Sequence, residues 1–360
     1  MRANSSRRIP TRRTTDIPLR EVRGQARELL ADLVRNASGM PDGREVDLVA
    51  EMAATCVKLL RDRASLADIK ILNTALKELR YAFSVFARFR GVRKVSTFGS
   101  ARTRAHDREY RLARDFARAI AQQNFMIITG AGGGVMRACQ EGAGREKSFG
   151  VNIKLPFEQE ANEFIDRDTK LVTFKYFFTR KLLFIKEADA VVLFPGGFGT
   201  HDEAFEALTL VQTGKTDPMP IVFLDVRRGT YWKTWDRYVK DHLLRRELIS
   251  EQDLALYRVT NDVDEAVDEI TSFYRVYHSL RMVGGKTVLR VSRPISEQLL
   301  TRIRTEFGDI LGPEGATAEG ALPPEDNEPD IAHLPRLVLD FDRENHGRLR
   351  QLIDLVNREA

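Results

Sequence analysis

Apolar residues near the start of the chain recur every three to four positions, the spacing of one face of a helix. The first such run begins at Leu19, and residues 40–43 (MPDG) interrupt it. A second run covers residues 46–60 and a third covers residues 66–89. The pattern predicts a helical N-terminal region over residues 17–90. Nothing in it suggests a metal site or a nucleophile, so we expect a scaffold or an oligomer contact.

From Lys94 onward the pattern changes to short apolar runs, typical of buried strands, that alternate with amphipathic helical segments. This alternation predicts an α/β fold over residues 91–280: a doubly wound, Rossmann-like parallel sheet with helices on both faces. Ligands bind such sheets at the carboxyl ends of the strands. The predicted strands are 95–100, 125–129, 149–153, 171–173, 190–194 and 221–224. The predicted helices are 110–122, 135–142, 177–187, 203–211, 232–244 and 263–277.

Residues 281–360 differ from the rest and predict a small C-terminal α+β module. Its two halves share the order strand, polar turn, helix, and a stretch rich in Pro, Gly and acidic residues separates them. We expect an accessory packing element, with a regulatory ligand-binding module as the alternative. The predicted elements are a strand at 287–291, a helix at 295–307, a flexible linker at 311–330, a strand at 337–341 and a helix at 343–356.

Composition indicates a chain with a large buried core. It has 360 residues, of which 42% are hydrophobic, and two cysteines, Cys56 and Cys139. So few cysteines exclude a disulfide framework and favour a reducing cytoplasm, and we expect Cys139 to be a small core residue. No apolar run approaches the roughly 20 residues that span a bilayer, and no signal-peptide core follows the N-terminus. We therefore expect a cytoplasmic protein with no membrane partner.

Much of the formal net charge of +5 arises at the N-terminus, where the first 20 residues contain six arginines and one acidic residue, Asp16. A basic arm could contact nucleic acid or acidic lipid, or resemble an organelle-targeting peptide. The segment has no amphipathic period, however. We therefore expect residues 1–16 to be a disordered basic tail, and we do not expect a nucleic-acid partner.

Three glycine-rich turns follow predicted strands: FGSAR at 98–102, TGAGGGVM at 129–136 and PGGFGT at 195–200. A glycine turn that opens a helix exposes unpaired backbone N–H groups beside the positive end of the helix dipole. The carboxyl ends of parallel strands meet at one edge of the sheet. Three such turns therefore predict a nucleotide or sugar-phosphate site.

The turns match neither of the common nucleotide-binding fingerprints. No Gly-Lys-Ser/Thr follows any of them, which excludes the Walker pattern. Reading the dinucleotide pattern from Gly130 places Val135 where a glycine is required. The next strand ends with Asn152 and Lys154, where an acidic residue would hold the ribose of NAD. Since no magnesium-binding set is evident, a monophosphate suits the site better than a triphosphate.

Charged side chains flank the third turn. Glu203 falls near the start of the following helix, where it could cap its own backbone or act on the uncharged part of a phosphorylated ligand. Arg180 and Lys181 lie in the preceding helix and could face either the glycine turns or solvent. We expect His201 and Asp202 to be flanking surface residues, with Asp202 as an alternative helix cap.

Together these segments resemble the signature motifs of the LOG (Lonely Guy) family of nucleoside 5′-monophosphate phosphoribohydrolases. Members of this family were often described as lysine decarboxylases, and the family includes longer bacterial nucleotide nucleosidases. The resemblance spans residues 91–280 and rests on FGSAR, TGAGGGVM, FFTRK at 177–181 and PGGFGTHDE at 195–203. The second glycine turn departs from the common G-G-G-x-x-G-x-M form. The small plant enzymes lack both the helical N-terminal region and the tail.

The resemblance implies a catalytic pair, Arg180 and Glu203, and hydrolysis of a nucleoside 5′-monophosphate to free base and ribose 5-phosphate. It also implies a homo-oligomer, a dimer or larger, and we expect no metal or organic cofactor. A carboxylate near C1′ can stabilise the cation-like state or activate water, while the bound phosphate positions the ribose. The residues expected to bind the phosphate and the nucleotide are Gly99, Ser100, Gly130, Gly132, Gly133, Gly134, Met136, Lys181, Gly196, Gly197, Gly199 and Thr200.

Other functions stay open at this point. A non-enzymatic nucleotide carrier or sensor of the same fold is the main alternative, although pure binding does not need a carboxylate beside a phosphate. A nucleic-acid-binding protein would use the arginine-rich arm. A PLP-dependent decarboxylase is the weakest alternative, because nothing marks Lys181 or Lys186 as a Schiff-base residue. The motifs are compatible with adenine, a cytokinin, guanine or a pyrimidine as the base.

Overall fold

The computed structural model describes residues 19–39, 43–154, 160–325 and 328–360, with side chains throughout except at 19–27 and 324. The predicted basic tail, residues 1–16, lies outside the described residues. The chain divides into two compact units, Met1–Thr74 and Ala75–Ala360, and each is described by itself. None of the helices in the described ranges is long and apolar enough to cross a membrane.

Helices form the N-terminal unit, as the apolar spacing predicts. Helices α1 (Leu19–Ser38) and α2 (Arg44–Arg61) pack against each other, and α3 (Leu66–Phe86) begins in this unit. The Ser65 hydroxyl accepts the Asp68 N–H at 3.2 Å, and the Asp68 carboxylate accepts the Ser65 N–H at 3.2 Å. This reciprocal cap fixes the start of α3.

The second unit is built on a parallel sheet of seven strands within the described residues. The strands are β1 (Lys94–Phe98), β2 (Met126–Thr129), β3 (Ser148–Ile153), β4 (Leu171–Phe174), β5 (Ala190–Leu193), β6 (Ile221–Leu224) and β7 (Arg258–Thr260). Their order across the sheet is β4-β3-β2-β1-β5-β6-β7. This order confirms the predicted doubly wound, Rossmann-like fold. Strands β2, β5 and β6 are buried along their whole length, which explains their nearly continuous apolar runs.

Helices cover both faces of this sheet. They are α4 (Arg108–Gln122), α5 (Val135–Ala143), α6 (Phe177–Lys186), α7 (Phe198–Gln212), α8 (Tyr231–Tyr238) and α9 (Val263–Phe273). One hydrophobic core contains side chains of α4, α5 and α9, and the other contains side chains of α6, α7, α8 and the end of α3. The sheet is therefore the middle layer of three.

The chain order reverses at β1, which pairs with β2 on one side and with β5 on the other. The carboxyl ends of β1, β2 and β5 therefore lie side by side. Each of the three glycine turns follows one of these strands. A reversal of this kind is where open α/β sheets bind their ligands.

A small antiparallel sheet of four strands forms the C-terminal module, in the order β10-β11-β9-β8. The elements are β8 (Tyr277–Val283), β9 (Lys286–Val291), α10 (Glu297–Glu306), β10 (Leu311–Glu319), β11 (Arg336–Phe341) and α11 (His346–Glu359). Each half of the module is a pair of antiparallel strands followed by a helix, whereas the sequence predicts one strand and one helix in each half.

The module differs from the prediction in two places. The sequence predicts a helix up to residue 277, but β8 begins there and turns into β9 through Gly284 and Gly285, whose φ angles are +55° and +91°. Positive φ at both turn positions suits a tight hairpin. The sequence also predicts a flexible linker over 311–330, but its first part forms β10 at the sheet edge. An edge strand bonds on one side only, so it tolerates Pro313 and the nearby glycines.

Buried ion pairs hold the second part of the predicted linker, of which residues 326 and 327 lie outside the described residues. The Glu325 carboxylate accepts hydrogen bonds from Arg290 at 2.8 and 2.9 Å and from Arg336 at 3.1 Å. Burial opposes the ionisation of Glu325, but the hydrogen bonds from Arg336, the Leu322 N–H and Arg290 outweigh it and hold its pKa at about 2. The two arginines therefore fasten this segment to β9 and β11.

Candidate functional site

The three glycine turns line one cavity of about 780 Å³ at the carboxyl ends of β1, β2 and β5. Residues from the starts of α5, α6 and α7 complete its lining. The structure therefore brings the predicted catalytic pair and all three turns to one place. The predicted site residues that line this cavity are Gly99, Ser100, Gly130, Met136, Arg180, Gly196, Gly197, Gly199, Thr200 and Glu203.

The turns contact one another, which explains several of their glycines. A Cβ on Gly196 would lie 2.0 Å from Thr200 Oγ1 and 3.0 Å from the Ser100 nitrogen. Gly134 has a φ of +62°, and a Cβ there would lie 2.2 Å from the Ser100 carbonyl oxygen. The Ser100 N–H donates to the Pro195 carbonyl at 3.1 Å. The first turn is thus bonded to the third and packed against the second.

Arg180 lies beside the second turn. A Cβ on Gly130 would lie 2.3 Å from Arg180 Nη2 and 2.6 Å from Met136 Sδ, so a larger residue would displace one of them. Arg180 Nε donates to the Val151 carbonyl at 2.8 Å, which fixes the orientation of the guanidinium. Burial lowers the pKa of Arg180, and the charge of Glu203 opposes that shift. A partly desolvated cation therefore lines the cavity.

One carboxylate on α3, that of Glu78, holds the start of α6 in place. Glu78 accepts the Lys175 N–H at 2.7 Å and the Thr179 hydroxyl at 2.8 Å. Thr179 directly precedes Arg180 in α6. Glu78 therefore helps to set the position from which Arg180 reaches the cavity.

Glu203 is 6% exposed and lies in the second turn of α7, which begins at Phe198 without a side-chain cap. The alternative that Glu203 caps its own helix is therefore wrong. Its Oε2 has no hydrogen-bond partner among the described residues. Burial raises its pKa to about 7, although the charges of Lys181 and Arg180 oppose the shift. A buried carboxyl with these properties can take up or release a proton near neutral pH.

The amino end of α7 supplies conditions for an anion. The helix begins at Phe198 after Gly197, inside the third glycine turn. The first N–H groups of a helix have no acceptor within it, and the helix dipole adds positive potential at this end. Arg102, an exposed cation of the first turn, lines the same cavity. These donors and charges suit a phosphate group.

Three predicted binding residues, Gly132, Gly133 and Gly134, do not line the cavity. The Gly132 carbonyl accepts a hydrogen bond from Asn162 at 2.9 Å. A Cβ on Gly133 would lie 3.4 Å from the Ala101 carbonyl oxygen, and Gly134 packs against the same turn. Gly133 and Gly134 allow the first and second turns to approach each other, and none of the three glycines borders the cavity.

Lys181 does not line the cavity either. Its Nζ pairs with Asp202 at 3.0 Å and with Glu206 at 2.5 Å, and its side chain borders a second cavity of about 730 Å³. Successive helical residues point about 100° apart, so the neighbours Arg180 and Lys181 face different sides of α6. Asp202 is thus a partner of Lys181 and not the cap of α7.

The cavity also contains residues that sequence reasoning missed or placed elsewhere. These are Arg102, Phe177, Phe198, His201 and Asp202. His201, expected at the surface, is half-buried, and its Nε2 lies 2.8 Å from the Tyr231 hydroxyl. Phe198 is 96% exposed inside the third glycine turn. The location of Arg102 and Phe198 within the motifs is the signal that could have identified them.

Cys139 is fully buried in the core beside α4, as expected for a small core residue. Its thiol donates to the Ala113 carbonyl at 3.7 Å. Burial raises the pKa of this thiol to about 12, so it is not a nucleophile at neutral pH.

A comparison with protein-family models matches residues 133–270 to a family described as "Possible lysine decarboxylase". The matched range contains Arg180, Glu203 and the third glycine turn. The first turn precedes it. No curated protein matches the chain.

Several solved structures resemble about half of the chain. The protein TM1055 is 23% identical, over 49% of this chain and 96% of that chain, with a TM-score of 0.35. A molybdenum cofactor binding protein from Rippkaea orientalis is 16% identical, over 50% of this chain and 94% of that chain, with a TM-score of 0.34. A molybdenum cofactor carrier protein from Chlamydomonas reinhardtii is 19% identical, over 49% and 94%, with a TM-score of 0.35.

Proposed function

We propose that this protein acts as the LOG family does, whose motifs it resembles, and hydrolyses the N-glycosidic bond of a nucleoside 5′-monophosphate. The match of residues 133–270 to the family described as "Possible lysine decarboxylase" supports this proposal. The products are the free base and ribose 5-phosphate. The proposal takes Glu203 and Arg180 as the catalytic pair, and it needs neither a metal nor an organic cofactor.

The observation that carries the proposal is the state of Glu203. Its carboxyl is buried, its Oε2 has no hydrogen-bond partner among the described residues, and it borders the same cavity as the glycine turns and Arg180. Burying a carboxylate without a partner costs stability, and a site that only holds a phosphate gains nothing from a negative group. The arrangement makes sense when the carboxylate acts on the sugar attached to that phosphate.

The reaction follows from these positions. The C1′–N bond breaks, and its electron pair leaves with the base nitrogen, which takes a proton from solvent. A water oxygen bonds to C1′, and its proton passes to the Glu203 carboxylate. Positive charge develops at C1′ in the transition state, and a carboxylate in a desolvated cavity stabilises it. Arg180 favours the ionised form of Glu203.

The 5′-phosphate supplies the binding energy that positions the ribose. The first N–H groups of α7, the Thr200 hydroxyl and Arg102 are the groups proposed to hold it, because they border one cavity. A free nucleoside lacks this anchor. It should therefore be a much poorer substrate than its monophosphate.

The lining of the cavity does not favour a PLP-dependent decarboxylase. Among the described residues that border it there is no lysine that could form a Schiff base. Lys181 borders the second cavity and is engaged by two acidic partners, and Lys186 pairs with Glu187 at 2.6 Å. Neither of the two lysines considered for that chemistry borders the cavity, and each is paired with an acidic residue.

The test is a panel of substrates. AMP, GMP, CMP and UMP, each beside its free nucleoside, are incubated with the protein, and released base is measured by chromatography. The proposal expects base release from at least one monophosphate and far less from the matching nucleoside. Tight binding of a monophosphate without base release would contradict hydrolysis and would support the nucleotide carrier instead. We also propose a cytoplasmic homo-oligomer, which sedimentation and localisation of a tagged chain would test.

A further inference from the structure

We infer that His201 binds the nucleotide through an unprotonated Nδ1, which accepts a hydrogen bond from a donor group of the substrate. This inference rests on the proposed function and adds a residue that determines substrate specificity. The donor is an amino group of the base or a hydroxyl of the ribose. The geometry of Tyr231 and Gly196 is the basis for this assignment.

His201 is joined to the third glycine turn through Tyr231. The Tyr231 hydroxyl donates to the Gly196 carbonyl, and the same hydroxyl lies 2.8 Å from His201 Nε2. Asp225 fixes the start of α8, since its carboxylate accepts the Tyr231 N–H at 2.9 Å and the Val226 N–H at 2.7 Å. His201 is therefore held by a chain of bonds that starts outside the cavity.

This chain determines which ring nitrogen carries the proton. The hydrogen of the Tyr231 hydroxyl is committed to the Gly196 carbonyl, so the phenol oxygen can only accept from His201. Nε2 must therefore be the N–H nitrogen of the neutral ring. Nδ1 is left as an acceptor, and it has no hydrogen-bond partner among the described residues, while His201 is one of the residues that line the cavity.

The surroundings keep this ring neutral at physiological pH. Burial lowers the pKa of His201 below its ordinary value, so the acceptor form persists at neutral pH. The titratable and charged groups near it are Asp202 and Glu203 on α7, Tyr231 on α8, Asp225 before α8, Arg180 on α6 and Arg102 after β1. Protonation at acid pH would convert Nδ1 from an acceptor into a donor and reverse the recognition.

Two isosteric substitutions separate the two nitrogens. In His201→Asn the amide oxygen can occupy the place of Nδ1 and keep the acceptor. In His201→Gln the amide N–H can occupy the place of Nε2 and keep only the bond to Tyr231. We expect His201→Gln to raise the KM for AMP by about tenfold, the effect of one lost hydrogen bond, and His201→Asn to raise it much less. Tyr231→Phe removes the acceptor of the His201 Nε2–H bond, so either ring nitrogen can carry the proton. The KM of this variant should lie between those of the Gln and Asn variants.

Substrate analogues identify the donor. IMP lacks the 6-amino group of AMP, and 2′-deoxy-AMP lacks one ribose hydroxyl. The penalty of His201→Gln should vanish for the analogue that lacks the donor and persist for the other. Equal KM values for the Asn and Gln variants, at unchanged melting temperatures, would overturn the inference.

A binding experiment tests the same point without turnover. The Kd of AMP is measured in the Glu203→Gln variant, with and without His201→Asn, from about pH 5 to about pH 8. The phosphate of AMP ionises in the same way with both proteins, so it does not contribute to the difference between their curves. Only the protein with His201 should lose additional affinity as the pH falls, and superimposable curves would contradict the inference. If the wild-type protein releases no base at all, the proposed function fails while this binding result stands by itself.

Discussion

Two buried glutamates of the second unit differ in almost every respect but burial. Glu325 of the C-terminal module is bonded to Arg290 and Arg336, and its pKa is held at about 2. Glu203 lies in the cavity of the parallel sheet, its Oε2 has no partner in the part of the chain that the structure describes, and its pKa is raised to about 7. A paired carboxylate serves the fold, whereas an unpaired one is available for chemistry.

The energetic consequences are opposite. Removing the charge of Glu325 leaves the buried guanidinium of Arg336 without its carboxylate and that of Arg290 with Glu328 as its remaining acidic partner, which is costly. Removing the charge of Glu203 relieves an uncompensated burial. We therefore expect Glu325 to affect stability and Glu203 to affect activity. Each residue can be tested separately.

The largest expected effect is the loss of activity when Glu203 is replaced. Glu203→Gln should reduce kcat for base release by about 10³-fold, because the carboxylate that activates water is lost. The Kd of the nucleotide should stay near the wild-type value, and the urea midpoint should be equal to or higher than that of the wild type. The matched control is Glu206→Gln, one turn further along α7, where the side chain contacts Lys181 outside the cavity. If both variants lost activity equally, or if Glu203→Gln kept near wild-type turnover, the contrast would fail.

For Glu325 we expect the reverse, a loss of stability with activity retained. Glu325→Gln should destabilise the protein by about 3 kcal/mol, since a buried ion pair is broken on one side only. Its kcat should change little. Urea unfolding followed by circular dichroism measures the loss, and Glu344→Gln, an exposed residue of the same module, is the control. A loss of activity in Glu325→Gln without a loss of stability would contradict the assigned role.

A smaller and graded effect is expected in acid. The pKa of Glu325 is about 2 in the folded protein and is ordinarily 4.5. Its contribution to stability is therefore complete above the unfolded pKa and is lost as the pH falls from about 4.5 toward about 2. The difference in urea midpoint between wild type and Glu325→Gln should shrink over that range. A difference that stays constant down to the lowest pH would argue against the ion pairs as its source.

Most of the site could be predicted from sequence because local rules determine it. Buried parallel strands read as apolar runs, and glycine turns at their ends must meet at one edge of the sheet. The motifs predict Arg180 and Glu203 at the glycine turns, and both border the cavity, since each lies within two turns of the start of its helix. Their roles in the reaction are the subject of the experiments above.

Other features depend on contacts that no local pattern encodes. The motif groups Lys181 with Arg180. Because Lys181 is the next residue of the helix, its side chain points in another direction and contacts Glu206 and the second cavity. The sequence predicts His201 at the surface, but Tyr231, 30 residues further along, holds it in the cavity. The sequence predicts a linker where strand β10 forms, because its Pro and Gly residues are typical of linkers but are also tolerated in an edge strand. The hairpin at Gly284 and Gly285 did carry a local signal, which the sequence reasoning overlooked.

The most direct test of the central claim is the pH dependence of kcat with saturating monophosphate. The account predicts that kcat falls about tenfold per pH unit below a pKa near 7, because only ionised Glu203 activates water, and that it levels off above. Glu206→Gln should keep the shape of this profile with its midpoint moved to lower pH, because the charge of Glu206 contributes to the raised pKa of Glu203. A kcat that stays level down to about pH 5 would show that a carboxyl with an ordinary pKa, or none, does the chemistry, and the assignment of Glu203 would be wrong.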